Sequence, residues 1–375
     1  MKLEYAGSEK LVVNKVTPPG SKPIERPEAI IKVDRLSYLI WDEANLDKQE
    51  AFLLDFGMKT HKKDSQTLYM RSFGDEPYVY YARKAKKSAF RGLGVSVNSR
   101  QDLERLANKT GKLIEKIKRP GGGEVVRLTD PTGLEVEVCF GIEKVKPIDT
   151  RRDALPVNTP NHHPRVNVGQ REALAPSPVL KIGHCVLGTN EIEKNIQWYM
   201  THLGLLATDV LCLEDGSPII AFLRMDRGED IADHHSIVIG KGGGEGYMHS
   251  AYEVVDVDAV AQGQQYLKMK KRKHYWGMGR HLLGSQVFDY WHDINGCEFE
   301  HYADGDVFTS DRKTEYHPMD PGNIYAWGDD IPAAMFKPNG KQILNVIRGL
   351  FKGEFSIAWL KKAKKATSRS PRPWL

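Results

Sequence analysis

Two parts of the chain repeat the same order of apolar and polar stretches. Residues 35–41 form a short apolar run that is typical of a buried strand, and an amphipathic stretch ending at Gly57 follows it. Residues 181–187 form a second run of this kind, and an amphipathic stretch ending at Gly204 follows it in turn. Glycine is common just after the last turn of a helix, so each part is predicted to begin with a strand and a helix.

The repeat continues downstream. Residues 92–97 parallel residues 249–254, and residues 130–137 parallel residues 293–300. The order strand–helix–strand–strand–strand is therefore predicted twice in each half of the chain. Self-similarity of this kind indicates duplicated structural units rather than four unrelated segments.

Proline-rich polar stretches divide the chain. Residues 1–29 contain four prolines and are predicted to form an extended N-terminal arm, and residues 145–179 contain six and are predicted to form a linker. We therefore expect one folded domain over residues 30–144 and another over residues 180–336. Residues 337–375 are expected to form a basic C-terminal helix and tail. A solvated helix end with a frayed tail is favoured over packing on a partner subunit or on an acidic surface.

The positive charge is concentrated at the C-terminus. Residues 337–375 hold ten of the 54 Lys and Arg residues and one of the 49 Asp and Glu residues, while the net charge of the whole chain is +5. The remainder is slightly acidic, whereas a dedicated nucleic-acid binder usually has a basic face, so no nucleic-acid partner is expected.

The distribution of apolar residues and cysteines indicates a cytoplasmic protein. No apolar run approaches the roughly 18 residues of a membrane-spanning helix, and the N-terminus has no apolar segment of the kind found in secretory signals. The cysteines are scattered and form no CxxC pair, so neither a zinc cluster nor a disulfide framework is indicated. They are Cys139, Cys185, Cys212 and Cys297.

Three repeat-related positions of the second half carry metal-binding side chains. His184 and His249 lie in strand-like segments, and Glu300 ends a third one. A lone strand histidine is most often a core residue, but two histidines and a carboxylate at related positions favour a metal. Such a set leaves open coordination positions and is typical of non-heme Fe(II). The equivalent residues of the first half are Tyr38, Gly92 and Glu137.

The segment that ends at Glu300 has the pattern GRH(x)8Y(x)9E, in which the histidine is His281 and the tyrosine is Tyr290. With this motif and the strands around His184 and His249, the chain resembles the type I extradiol ring-cleaving dioxygenases of the vicinal oxygen chelate superfamily. The resemblance covers residues 30–335.

The resemblance implies a fold and a set of site residues. The fold is α+β, with four βαβββ modules arranged as two open barrels, of which the second holds the metal. His184, His249 and Glu300 match the metal ligands, which implies Fe(II), with Mn(II) as an alternative. Tyr290 matches a tyrosine that hydrogen-bonds the metal-bound oxygens, and His281 matches a histidine just outside the ligand set.

The resemblance also implies an acid/base histidine about fifteen residues before the second metal ligand, at the start of a strand. Counting back fifteen residues from His249 leads to His234, and counting fourteen leads to His235. We favour His234 and expect the other histidine to be a polar residue on the outward face of the strand.

The implied activity is extradiol (meta) cleavage of a catechol-type substrate by O2 in the catabolism of aromatic compounds, by a homo-oligomeric enzyme. Residues 282–285 depart from the polar sequence often found at that place in biphenyl-type relatives, and we expect them to line or border the substrate pocket. Two alternatives stay open: a glyoxalase-type isomerase, which tends to use a fourth protein ligand, and a non-catalytic binding protein on the same fold.

Overall fold

The structure is a computed structural model that describes residues 20–21, 23–151, 153–154, 156–170, 173–242, 244–332, 335 and 340–368. Residues 1–19 of the predicted arm and residues 369–375 of the predicted tail lie outside this part of the chain.

The first half forms one mixed sheet, in which eight strands are described in the order β2-β3-β4-β1-β5-β8-β7-β6. Helices α1 (Leu46–Asp55) and α2 (Arg100–Thr110) follow β1 and β5. Each helix is followed by three strands, so the half consists of two βαβββ modules joined side by side through β1 and β5. The strands are β1 (Arg35–Glu43), β2 (Lys59–Lys63), β3 (Thr67–Arg71), β4 (Tyr80–Lys84), β5 (Ala89–Ser96), β6 (Ile114–Lys116), β7 (Glu124–Thr129) and β8 (Glu135–Phe140).

The second half repeats this plan in a sheet whose ten described strands run β19-β10-β11-β13-β9-β14-β17-β16-β15-β20. Helices α3 (Ile192–Leu203) and α4 (Val257–Met269) follow β9 and β14. The short strands β12 and β18 pair with each other outside the sheet. The strands are β9 (Lys181–Thr189), β10 (Leu206–Cys212), β11 (Pro218–Arg224), β12 (Ala232–Asp233), β13 (Ile237–Lys241), β14 (Gly246–Glu253), β15 (Lys273–His281), β16 (Val287–His292), β17 (Glu298–Ala303), β18 (Val307–Phe308), β19 (Glu315–Pro318) and β20 (Tyr325–Gly328).

The predicted fold class is confirmed: the two sheets are built from four βαβββ modules. Helix α3 shows why the apolar spacing was informative. It buries the apolar residues that recur at helical spacing, among them Ile196 and Tyr199, and it ends at Gly204. Gly204 has a left-handed backbone conformation with φ of 72°, and its N–H donates to the carbonyl of Met200.

The two halves share one apolar core, and strand β17 lies at their junction. Phe299 packs edge-on against Phe52 and Phe56 of the first half, with ring centroids 5.5 and 5.8 Å apart. The ring of His301 stacks on Phe56 at 3.8 Å, and its Nε2 lies 2.6 Å from the Phe56 carbonyl oxygen. Since side chains alternate along a strand, Glu300 points to the opposite face.

Two C-terminal helices follow the second sheet, α5 (Gly340–Lys352) and α6 (Ile357–Thr367). The expectation of a solvated, frayed end is wrong for α6, because Ala366 is buried against the second half. Lys362 pairs with Asp215 at 2.7 Å, and Lys365 pairs with Glu214 at 2.6 Å. Like the other helices of the described chain, both are too short or too polar to cross a membrane.

Candidate metal centre

Three neighbouring strands of the second sheet bring the predicted ligands together. His184 of β9 lies opposite Ala251 of β14, which in turn lies opposite Glu300 of β17. His249 lies two residues before Ala251 on the same strand and therefore shares its face. The small side chain of Ala251 leaves space among the three larger ones.

The three side chains converge. The Nε2 atoms of His184 and His249 lie 3.3 and 3.4 Å from Oε2 of Glu300. One ligand atom from each residue fits within a mutual distance of 4.8 Å, and His184 and Glu300 are buried. The arrangement has the donor types and the spacing of a site for one metal ion.

Glu300 gives an independent reason to expect a cation. Its side chain is fully buried, and within the described part of the chain neither carboxylate oxygen accepts a hydrogen bond. Burial alone would raise the pKa of Glu300, but His184, His249 and His281 lower it well below its usual range, so the group stays ionised. A buried carboxylate without a compensating charge is costly, and a divalent cation fits this place.

His281 and Tyr290 lie beside the three ligands. Nδ1 of His281 is 3.0 Å from the carbonyl oxygen of Ile324, which can only accept a hydrogen bond. In a neutral ring Nε2 is then the acceptor, and it lies 3.0 Å from the Tyr290 hydroxyl. Burial raises the pKa of Tyr290 well above its usual value, so the group stays a phenol, and its ring packs 5.1 Å from that of His249.

His235 is the member of the histidine pair that borders the ligands. Its ring centroid lies 4.2 Å from that of His184, and burial together with His184 lowers its pKa well below the usual value. His234 instead turns away to Asp209. The geometry therefore favours His235 over His234 for the acid/base role.

The expectation that one of the two histidines faces outward is wrong, because His234 and His235 are only 1% and 4% exposed. They lie in a bend between β12 and β13, so the alternation of strand side chains does not apply to them. Residues 282–285 also have an unexpected neighbour. Gly284 lies against His234, where an added Cβ would sit 3.2 Å from the imidazole ring.

Asp209 and His317 were not predicted from the sequence. Asp209 lies in the middle of β10 and accepts hydrogen bonds from His234 and His317 at 2.6 and 2.9 Å. Burial alone would raise the pKa of Asp209, but these two hydrogen bonds lower it below its usual range. A carboxylate in the apolar run 205–213 was the available signal, because a buried charge requires partners.

The first sheet contains the same row of positions, but among the described residues no group of metal-binding side chains converges there. Tyr38 of β1 lies opposite Gly94 of β5, which lies opposite Glu137 of β8. Glu137 accepts hydrogen bonds from Tyr38 at 2.6 Å, from Arg127 at 2.9 Å and from Arg119. Burial alone would raise the pKa of Glu137, but Arg119 lowers it. Here the chain supplies the compensating cation itself.

The sequence is similar to those of known proteins. Residues 181–289 match the family model described as Glyoxalase/Bleomycin resistance protein/Dioxygenase superfamily. The chain is 26% identical over 320 residues to metapyrocatechase 2 of Cupriavidus necator, covering 83% of this chain and 93% of that protein. It is 22% identical over 275 residues to a manganese-dependent 2,3-dihydroxybiphenyl 1,2-dioxygenase of Geobacillus genomosp. 3, covering 70% and 82%.

Solved structures share the fold. A Mn(II)-bound glyoxalase from Novosphingobium aromaticivorans matches with a TM-score of 0.69 and 24% identity, over 82% of this chain and 95% of that one. Homoprotocatechuate 2,3-dioxygenase from Brevibacterium fuscum matches with a TM-score of 0.68 and 17% identity, over 84% and 95%. The predicted resemblance is confirmed: residues 181–289 match the model of the Glyoxalase/Bleomycin resistance protein/Dioxygenase superfamily, and the chain as a whole resembles the extradiol dioxygenases.

Proposed function

We propose that this protein is an extradiol ring-cleaving dioxygenase that uses O2 to open the ring of a catecholic substrate at a non-heme metal ion. The observation that carries the proposal is the convergence of His184, His249 and Glu300 beside His235 and Tyr290. Three protein ligands leave positions for a bidentate substrate and for dioxygen.

The metal is proposed to be Fe(II). Two imidazoles and one carboxylate with open positions are typical of non-heme Fe(II) sites. Mn(II) is the alternative, since one relative is manganese-dependent and one structural neighbour contains Mn(II). Once bound, the ion would supply Lewis acidity that lowers the pKa of a coordinated hydroxyl, together with a coordination position for O2.

The residues around the ion would handle protons and orientation. A neutral His235 can accept the proton of the second substrate hydroxyl at Nε2 and return it later in the reaction. Tyr290 stays a phenol and donates its proton to Nε2 of His281, which holds the hydroxyl in place, so the Tyr290 oxygen can accept a hydrogen bond from a substrate hydroxyl. The C–C bond outside the diol is broken, and both oxygen atoms enter the product.

A glyoxalase-type isomerase is the second candidate, because a glyoxalase is among the structural neighbours. Such sites tend to use a fourth protein ligand. Glu137, the counterpart of Glu300 in the first half, is the carboxylate that was considered for this role. It is held by Tyr38, Arg119 and Arg127 in the other sheet. A binding protein without catalysis would have no use for a proton acceptor at His235.

Three other predictions from the sequence remain proposals: a homo-oligomer, a cytoplasmic location and the domain boundaries given above.

The test is reconstitution of the metal-free protein under anaerobic conditions with Fe(II), Mn(II) or Zn(II), followed by alkyl- and aryl-substituted catechols and oxygen. We expect the Fe(II) form to consume one O2 per catechol and to give a yellow ring-opened product. The Zn(II) form serves as the redox-inert control. Iron binding without oxygen uptake on any catechol would sink the proposal, and isomerisation of a hemithioacetal would favour the second candidate.

A pair of variants sharpens the test. His235→Gln should keep the metal and lose activity by roughly 10²- to 10⁴-fold, the usual contribution of a general acid/base group. His202→Gln is the matched control. His202 lies on α3, where its Nδ1 is 2.9 Å from the Trp198 carbonyl oxygen, and this variant should keep both metal and activity.

A further inference from the structure

We propose that Asp209 and His234 are positioning residues, which fix His235 in the tautomer that leaves its Nε2 free of a proton. The inference rests on the proposed function, because it assigns a purpose to the unprotonated Nε2, but the tautomer itself can be measured without any turnover.

The groups form a continuous chain of hydrogen bonds. Nδ1 of His235 lies 2.7 Å from Nδ1 of His234, whose Nε2 lies 2.6 Å from Oδ2 of Asp209. The other oxygen of Asp209 lies 2.9 Å from Nε2 of His317. His317 is nearer the surface, with 15% of its side chain exposed, so the chain runs from the metal centre outwards.

The direction of each hydrogen bond follows from the carboxylate. Asp209 is ionised and can only accept, so Nε2 of His234 carries a proton. In a neutral His234 the other nitrogen, Nδ1, is then an acceptor. The proton between the two rings must therefore belong to Nδ1 of His235, and a neutral His235 has none left for Nε2.

The remaining nitrogen of His235 suits the base that the reaction requires. Within the described part of the chain, its Nε2 makes no hydrogen bond. With the opposite tautomer, Nε2 would carry a hydrogen and could not accept the substrate proton. The carboxylate of Asp209 thus controls, through His234, which nitrogen of His235 is basic.

Packing prevents His234 from turning out of this arrangement. Its ring lies edge-on to Phe222 at 5.5 Å and contacts Phe308 at 5.8 Å. Gly284 has φ of +84° and leaves room for the ring, which an added Cβ would approach within 3.2 Å. The backbone N–H of His234 donates to the carbonyl of Asp306 at 2.9 Å.

Asp209→Asn is the informative change, because it keeps the shape and removes the fixed polarity. The amide nitrogen can donate to Nε2 of His234, which then carries its proton on Nδ1 and donates to His235. His235 would be left with a proton on Nε2. In serine proteases the corresponding Asp-to-Asn change produces the wrong histidine tautomer and lowers kcat about 10⁴-fold.

The first measurement is ¹⁵N NMR of the histidine rings in the metal-free wild-type protein. The His235 signals are identified by their loss in His235→Gln. We expect Nδ1 of His235 to be protonated and Nε2 to be unprotonated, and Asp209→Asn should exchange the two. A proton on Nε2 of His235 in the wild-type protein would overturn the proposal, whether or not any variant folds.

The second measurement is kinetics with the reconstituted enzyme. Asp209→Asn should lower kcat by roughly 10²- to 10⁴-fold, with the metal content unchanged and KM affected little. Asp226→Asn is the control, because it removes another buried carboxylate, one that pairs with Lys32 at 2.7 Å and with Ser310 at 2.5 Å. It should leave the His235 tautomer and kcat as they are.

The outcomes separate the two proposals. If the tautomer is as expected but no catechol is cleaved, the ring-cleavage function fails and the positioning by Asp209 stands. If catechols are cleaved and Asp209→Asn keeps full kcat, the positioning fails and the function stands.

Discussion

The two sheets place a buried glutamate at the same position and neutralise it differently. In the first sheet Glu137 is paired with Arg119 and Arg127, whereas in the second sheet the ion-pair partners of Glu300 among the described residues are histidines. A buried carboxylate needs a counter-charge in either case. The difference teaches that the proposed metal site is the copy in which the described part of the chain provides no arginine or lysine for that carboxylate, so that an ion from solution can supply the charge.

The backbone separates the two copies as well. Gly92 occupies the place that corresponds to His249, with φ of +155°, and an added Cβ would lie 1.8 Å from the carbonyl oxygen of Glu135. The ring of Tyr38 covers Gly94, where an added Cβ would lie 2.2 Å from the ring. Because a histidine cannot occupy position 92 without moving the strand, three side-chain changes would not create a second metal site.

The largest effect is expected from Glu300→Gln. Loss of a direct ligand should weaken metal affinity by more than about 100-fold, since even partners outside the ligand set contribute 10- to 100-fold. The metal content measured by mass spectrometry should fall from one ion per chain to a small fraction, and oxygen uptake with it. The matched variant Glu137→Gln should keep the ion at the second sheet. Loss of metal from that variant would contradict the assignment of the metal site to the second sheet alone.

Arg119→Met should have the next largest effect, on stability rather than on activity. It leaves Glu137 buried with fewer counter-charges, and breaking a buried ion pair of this kind costs about 3 kcal/mol. The free energy of unfolding in urea measures the loss. Arg119→Met combined with Glu137→Gln should recover most of it, and a loss below about 1 kcal/mol for the single variant would show that Arg119 is not the compensating cation.

The same variant has a defined pH dependence. In the wild-type protein the pKa of Glu137 is lowered, so its contribution to stability is present above the ordinary value of 4.5 and is lost as the pH falls. Without Arg119 the largest of the interactions that lower the pKa of Glu137 is lost, so that pKa rises. The stability difference between wild type and Arg119→Met should therefore grow as the pH rises from about 4 to 8. A difference that stayed constant over this range would contradict the assignment.

The smallest effects concern the residue between the two outer members of each row, which is Gly94 between Tyr38 and Glu137 and Ala251 between His184 and Glu300. Gly94→Ala should destabilise the protein by about 1–3 kcal/mol, because its Cβ would overlap the Tyr38 ring. Ala251→Gly should cost only about 0.5–1 kcal/mol, through backbone entropy. Thermal unfolding of the two variants side by side compares them, and equal losses would mean that Tyr38 can move aside.

The repeat was readable from the sequence because each copy keeps the same apolar periodicity, and it led to the row that contains His184, His249 and Glu300. The choice between His234 and His235 was not readable. Both histidines lie in a bend, where counting residues along the chain does not give the direction of a side chain.

The partners of the buried carboxylates Glu137 and Asp209 could not be predicted from the sequence either. Arg119 comes from the turn after β6, and His317 comes from β19, more than one hundred residues beyond Asp209. Charged side chains that meet across such distances leave no periodic signal. A buried glutamate in a half predicted to lack metal still required a cation, and that requirement could have directed attention to Arg119.

The first half contacts strand β17, which carries Glu300, and so contributes to the position of this residue. Glu300 faces the proposed metal site, while its neighbours Phe299 and His301 pack against Phe52 and Phe56. An ion that binds only when β17 is correctly placed stabilises that placement. Because the first half holds β17 in place, metal binding and the folding of the first half are thermodynamically linked. Substitutions in that distant core should therefore weaken metal retention at a site that the first half does not contact.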